Sequence, residues 1–125
     1  MSDERHTGSP IVSIVDDDVG FCESLADLFE SVGYRTYTFS AAVDFLGSDA
    51  VRVSDVLITD IQLGGMDGLT LMDRVAEVVR IPVIVMTART EEEWRIQAVS
   101  KGCAAFLRKP FDPGVLLGQV AAVLG

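Results

Sequence analysis

Chemically capable side chains stand immediately after the apolar runs of this sequence. Asp16, Asp17 and Asp18 follow Ile11–Val15, Asp60 follows Val56–Thr59, Thr87 follows Val83–Met86, and Lys109 lies just beyond Ala104–Leu107. Carboxylates brought together repel: two at ~4 Å cost roughly 4 kcal/mol at an effective dielectric of about 20, so a counterion is expected. An acidic, all-oxygen site without His or Cys suits a hard cation, and Mg²⁺ (or Mn²⁺) fits phosphoryl chemistry. A carboxylate can attack phosphorus to give an aspartyl phosphate. The cation and the Lys109 amine would then neutralise charge on the transferring group.

Bulk properties remove several rivals. The chain has 125 residues, enough for one domain with a real core, and 49% of them are hydrophobic and 23% charged, which argues against disorder. A net charge of −9 makes nucleic-acid binding by this domain alone a poor expectation, because that binding rests on Lys and Arg. His6 is the only histidine, which removes Ser–His and Cys–His catalytic pairs and His-based zinc sites. Cys22 and Cys103 are far apart in sequence and read as free thiols. Residues 1–10 form a polar tail without a secretory pattern, and no apolar run is long enough to span a membrane. The plain expectation is a cytoplasmic protein.

The elements that must position the reactive groups alternate from end to end. Ile11–Val15, Tyr34–Phe39, Val56–Thr59, Val83–Met86 and Ala104–Leu107 read as strands. Between them run helical stripes: Phe21, Leu25, Leu28, Phe29 and Val32; Leu69, Met72, Val75, Ala76 and Val79; and, last, Leu116, Leu117, Val120 and Leu124. Gly33 suits a helix C-terminus, Ser40 a cap on a short helix to Leu46, and Thr90 with Glu93 a capping box. Asp18 and Asp67 read as helix caps, Asp112–Pro113 opens the last helix, and 47–54 reads as a loop. Gly64, Gly65 and Gly68 mark a flexible connection. Five strands alternating with five helices predict an α/β fold with a parallel sheet, 11–125 forming the domain. Ligands of such sheets bind beyond the carboxyl ends of the strands, where the reactive residues stand.

The segments Ile14–Asp18, Leu57–Asp60, Met66–Gly68, Val85–Ala88 and Phe106–Phe111 resemble the signature of the response-regulator receiver family of two-component signalling. The likeness runs from about Ile11 to Leu124. Val32–Tyr34 and Thr38–Phe39 are similar to the subgroup whose longer members end in a helix-turn-helix DNA-binding domain. The resemblance implies a flavodoxin-like (βα)5 three-layer sandwich with strand order 2-1-3-4-5. It implies that Asp60 accepts a phosphoryl group from a histidine kinase or histidine phosphotransfer protein in a Mg²⁺-dependent reaction. Asp17 and Asp60 would bind the metal directly with the Gln62 backbone carbonyl, and Asp16 would hold a metal-bound water. Thr87, with Ala88 beside it, would bind the phosphoryl group, Lys109 would pair with it, and Phe106 would be the aromatic switch. A cis Lys109–Pro110 peptide is implied too. The responding surface would be the fourth helix, fifth strand and fifth helix, roughly 91–124, which can support a homodimer. Such a protein catalyses only its own phosphotransfer and dephosphorylation and is not otherwise an enzyme. Two departures stand out: Gly64 takes the place of a usual proline, and Asp18 adds a third acid.

Gln62 and Arg89, each two residues beyond a reactive group, are placed to shield or orient the water that removes the phosphate. Two other readings compete. An aspartate-nucleophile phosphatase would use Asp16 as nucleophile and Asp18 as acid, but it usually carries a cap domain for which this chain has no room, and Gly20 stands where Thr or Val is expected. A pseudo-receiver would bind partners without phosphorylation, and its sign is the loss of a key residue. Phe106 reads equally as a core aromatic, and Trp94 as packing or as a partner contact.

Overall fold

The structure, a computed structural model, describes residues 8–125; His6 and most of the polar stretch 1–10 lie outside that range. Along the chain run β1 (Ile11–Val15), α1 (Val19–Ser31), β2 (Arg35–Phe39), α2 (Ala42–Leu46), α3 (Ala50–Val53) and β3 (Val56–Asp60). Then follow α4 (Gly68–Ala76), β4 (Val83–Thr87), α5 (Glu92–Ser100), β5 (Ala105–Arg108) and α6 (Pro113–Leu124). The strands form one parallel sheet in the order β2-β1-β3-β4-β5. This is the flavodoxin-like sandwich that the family resemblance implied, with six helices in place of the five expected.

Strands β1, β3 and β4 are buried along their whole length, because helices cover both faces. That is why they read as continuous apolar runs and not as alternation. Successive side chains still point to opposite faces. Val12, Ile14, Ile58, Ile84 and Met86 meet α1 and α6 through Leu25, Phe29, Leu116 and Val120. Val15, Leu57, Val83 and Val85 meet the other layer through Phe45, Leu71, Met72, Val75 and Ala98. The edge strand β2 instead exposes Arg35, Tyr37 and Thr38.

Three local expectations need correction. Within 47–54 the chain makes the helix α3, with Ala50 and Val51 buried and the Ala50 amide donating to Ser48 Oγ at 3.2 Å. At α2 the N-cap is Ala41 with no side-chain bond, so Ser40 does not cap. At α5 the N-cap is Glu91, not Thr90, and its carboxylate faces Arg89 and Trp94 instead of the helix amides. The aspartate caps form as expected: Asp18 accepts from the Phe21 amide, Asp67 from Thr70, and Asp112 from Gly114. Gly33 ends the first helix region at φ +100°, a conformation that costs glycine nothing.

Candidate functional site

The parallel register lines up the carboxyl ends of the strands. Val15 lies beside Thr59, Asp60 beside Met86, and Thr87 beside Arg108, so the residues that follow each strand share one edge of the sheet. There Asp16, Asp60 and Thr87 are all buried. Lys109 reaches them from the loop after β5, its amide donating to the Thr87 carbonyl at 2.7 Å. The Lys109–Pro110 peptide is cis.

The Lys109 ammonium donates to Asp16 Oδ2 at 2.6 Å and to Asp60 Oδ2 at 2.9 Å, and 18% of its side chain is exposed. The second oxygen of each acid is occupied as well. Asp16 Oδ1 accepts from the Asp18 amide at 2.9 Å, and Asp60 Oδ1 from the Gln62 amide at 3.1 Å. Burial pushes the Asp60 carboxyl upward, against the lowering influence of the Lys109 hydrogen bond and charge. Burial likewise opposes the charged Lys109, but the hydrogen bonds and charges of Asp16 and Asp60 outweigh it and raise its pKa. The two directions agree on one picture: Lys109 is firmly cationic, and it does not fully relieve the buried Asp60.

Thr87 is tied away from Asp60. Its hydroxyl donates to Gln62 Oε1 at 2.6 Å and accepts from the Arg89 amide at 3.0 Å. Gln62 therefore touches both chemical groups, Asp60 through its amide and Thr87 through its side chain. Asp17 follows Asp16 with its side chain exposed, Ala88 is exposed beside Thr87, and Phe106 is half-buried against the Val85 side of the core. Arg89 pairs with Glu91 at 3.2 Å and lies over the Trp94 ring at 5.6 Å.

One contributor was not singled out from the sequence. Phe21 places its ring 4.3 Å from the Lys109 ammonium, with Phe111 edge-on to it at 6.2 Å. The face of an aromatic ring attracts a cation, so Phe21 helps hold Lys109 in place. Its position in the α1 stripe marks it as apolar, and nothing in the residue type announces the cation.

The donor set fits a hard cation. Among the described residues no three acidic, His or Cys side chains form a ready cage. Mg²⁺ does not need one, since it keeps several waters and takes one or two carboxylates. Asp60, buried and incompletely compensated, would gain from such a charge.

The fold and this edge of the sheet can be set beside known proteins. The response regulator receiver domain matches residues 12–121. Nodulation protein W of Bradyrhizobium diazoefficiens is 34% identical over 113 residues, which cover 90% of this chain and 50% of that protein. The transcriptional regulatory protein FixJ of Azorhizobium caulinodans is 35% identical over 115 residues, covering 91% and 54%. The chain thus spans about half the length of these curated relatives. Among solved structures, FixJ-N superposes with a TM-score of 0.82 at 26% identity, covering 99% of this chain and 95% of that one. The BeF3-activated DrrB receiver domain gives 0.85 at 25% identity, covering 93% and 97%. With the family's pattern matched over residues 12–121 of the chain and the fold shared, this chain belongs to the response regulator receiver domain family.

Proposed function

We propose that this domain is a phosphorylation switch in which a histidine kinase or a histidine phosphotransfer protein donates a phosphoryl group to Asp60. The observation that carries the reading is the meeting of Asp16 and Asp60 on one ammonium, from 93 and 49 residues away in sequence, with Thr87 tied to the same site through Gln62. In the transfer, an Asp60 oxygen attacks phosphorus as the P–N bond of the donor phosphohistidine breaks. The electron pair of that bond leaves with the imidazole, and an Asp60 O–P bond forms. Lys109 neutralises charge on the incoming group from the side of Asp16. Asp17, Asp60 and the Gln62 carbonyl, with Asp16 through a water, would hold Mg²⁺, which when bound supplies further neutralisation of the phosphoryl oxygens. Thr87, whose hydroxyl now donates to Gln62, would exchange that bond for one with the new oxygens.

An apolar groove beside Lys109, lined by Phe21, Leu25, Ala88, Pro110 and Phe111, offers the donor a surface next to the reacting carboxylate. The responding surface is α5, β5 and α6, where Ile96, Val99 and Val115 are exposed apolar side chains that a second copy would cover. The phosphatase reading needs Asp18 as a free acid, but its carboxylate caps α1 at 3.0 Å from the Phe21 amide.

The direct test is exposure to acetyl phosphate and Mg²⁺ with intact-mass spectrometry. Wild type should gain one phosphoryl group and Asp60→Asn none; an unlabelled wild type, or label persisting in the variant, ends the proposal.

Loss of the phosphate is a second readout. Gln62→Leu removes the carboxamide that can orient the attacking water, and Arg89→Ala opens the site to it. The first should lengthen and the second shorten the aspartyl phosphate lifetime by about fivefold, on the order of 1 kcal/mol of barrier. Timed decay after donor removal checks this, and unaltered lifetimes would dismiss both roles.

A further inference from the structure

We propose that Arg108 is a positioning residue that couples the Thr87 loop to the Phe106 ring. The inference rests on the phosphoryl-switch reading and adds to it a route for the change. Arg108 ends β5 directly opposite Thr87, and Phe106 lies opposite Val85. Residues two apart on a strand share a face, so the Arg108 side chain lies along Phe106, its guanidinium carbon 5.4 Å from the ring centroid. One guanidinium nitrogen donates to the Arg89 carbonyl at 2.8 Å, and another to Glu92 Oε1 at 3.2 Å. The Arg89 amide in turn donates to the Thr87 hydroxyl at 3.0 Å. An unbroken path therefore runs from the Thr87 hydroxyl through the Arg89 backbone, amide to carbonyl, and the Arg108 guanidinium to the Phe106 ring.

The contacts differ in weight. Glu92 is more than half exposed and is shared with Arg95, so that ion pair contributes little. The bond to the Arg89 carbonyl is directional, and the guanidinium's planar fork can hold carbonyl and carboxylate at once. When the Thr87 hydroxyl turns to a phosphoryl group, the Arg89 backbone, whose amide donates to it, must shift. Its carbonyl then leaves Arg108, and the cation loses the geometry that keeps it over Phe106. Arg108 thereby stabilises the arrangement with Thr87 on Gln62, and its release frees the ring.

The test uses the 125-residue chain and beryllofluoride with Mg²⁺ as the phosphoryl mimic. Trp94, the only tryptophan, packs against Arg89 and reports the loop by fluorescence, and the Phe106 ring resonance, assigned with Phe106→Leu, reports the aromatic. In wild type both signals should move in one titration. Arg108→Met keeps an apolar stem and removes the fork. It should bind the mimic about three- to tenfold more tightly, the span of one partly exposed charge-assisted hydrogen bond, with the Phe106 signal already shifted before the mimic is added. Arg108→Lys should fall between the two, and Glu92→Gln, a surface change that leaves the fold intact, should shift affinity weakly in the same direction. Unchanged or weakened affinity in Arg108→Met, or a Phe106 signal that stays at its wild-type starting position, overturns the coupling. If wild type itself neither binds the mimic nor accepts phosphoryl, the switch reading falls and takes this inference with it; if wild type does both, only the role of Arg108 is at stake.

Discussion

Lys109→Met should cost about 2–4 kcal/mol of stability at neutral pH, somewhat below the range for breaking a fully buried pair because Lys109 is partly exposed. The substitution keeps the apolar length of the side chain and removes the ammonium that joins Asp16 to Asp60. Both acids stay buried, now facing each other's charge with no cation between them. Relief by protonation sets the pH dependence. Burial already raises the Asp60 carboxyl in the native protein, and the lowering influence of Lys109 would be gone. A carboxyl whose folded pKa exceeds its unfolded value contributes stability at low pH, and loses it as pH rises through the folded value. The variant should therefore recover stability as pH is lowered toward the carboxylate range, by more than wild type does over the same interval. Urea unfolding at neutral and mildly acidic pH measures the difference. Equal losses at both would show that the ammonium acts through packing alone. Mg²⁺ should restore part of the deficit, since it supplies charge to the same oxygens.

The outcome depends on where the strands deliver their last residues, and that much was legible in the sequence. Buried parallel strands are mostly apolar, with Ser13 and Thr59 as small polar exceptions, so the first charged or polar residue closing each run marks the sheet's edge, and Asp16, Asp60 and Thr87 could be placed by that logic. The aspartate caps were legible for a related reason: a short acid before an apolar stripe has one local use. Contacts made by long side chains were not. Gln62 is a polar loop residue by type, and nothing in that type announces that its carboxamide oxygen accepts a hydrogen bond from the Thr87 hydroxyl. Arg108 looks like any solvent-facing arginine at a strand end, yet it binds a carbonyl 19 residues away. The helix α3 escaped because four residues are too few to display a helical period. Thr90 lost the cap to Glu91 because Arg89 and Trp94 draw the Glu91 carboxylate into a local cluster that the backbone follows.

The three glycines after β3 teach the same lesson through a large effect. As a group they read as a flexible connection, but each has a different situation. Gly64 has open space around it, Gly65 has a φ of +79°, and Gly68 is enclosed. A Cβ on Gly68 would lie 2.0 Å from the Asp60 carbonyl oxygen, 2.9 Å from the Asp60 carbonyl carbon and 3.0 Å from the Ile61 Cα. All three are backbone atoms, so no side chain can rotate aside. The Gly68 amide also donates to the Ile61 carbonyl at 2.9 Å, which fastens the start of α4 onto the strand end that presents Asp60. Gly68→Ala must push these segments apart, and should cost about 3 kcal/mol or more, the upper range for overpacking. The displaced atom belongs to Asp60, the phosphoacceptor of the proposed switch, so the rate of labelling by acetyl phosphate should fall as well, by on the order of a hundredfold for a shift near 1 Å. Gly64→Ala is the matched control: no atom stands within 4 Å of its added Cβ, and both stability and labelling should stay near wild type. A Gly68→Ala protein that unfolds and labels like Gly64→Ala would mean that α4 can retreat without moving Asp60, and the close seating of that helix on β3 would have no part in aiming the carboxylate.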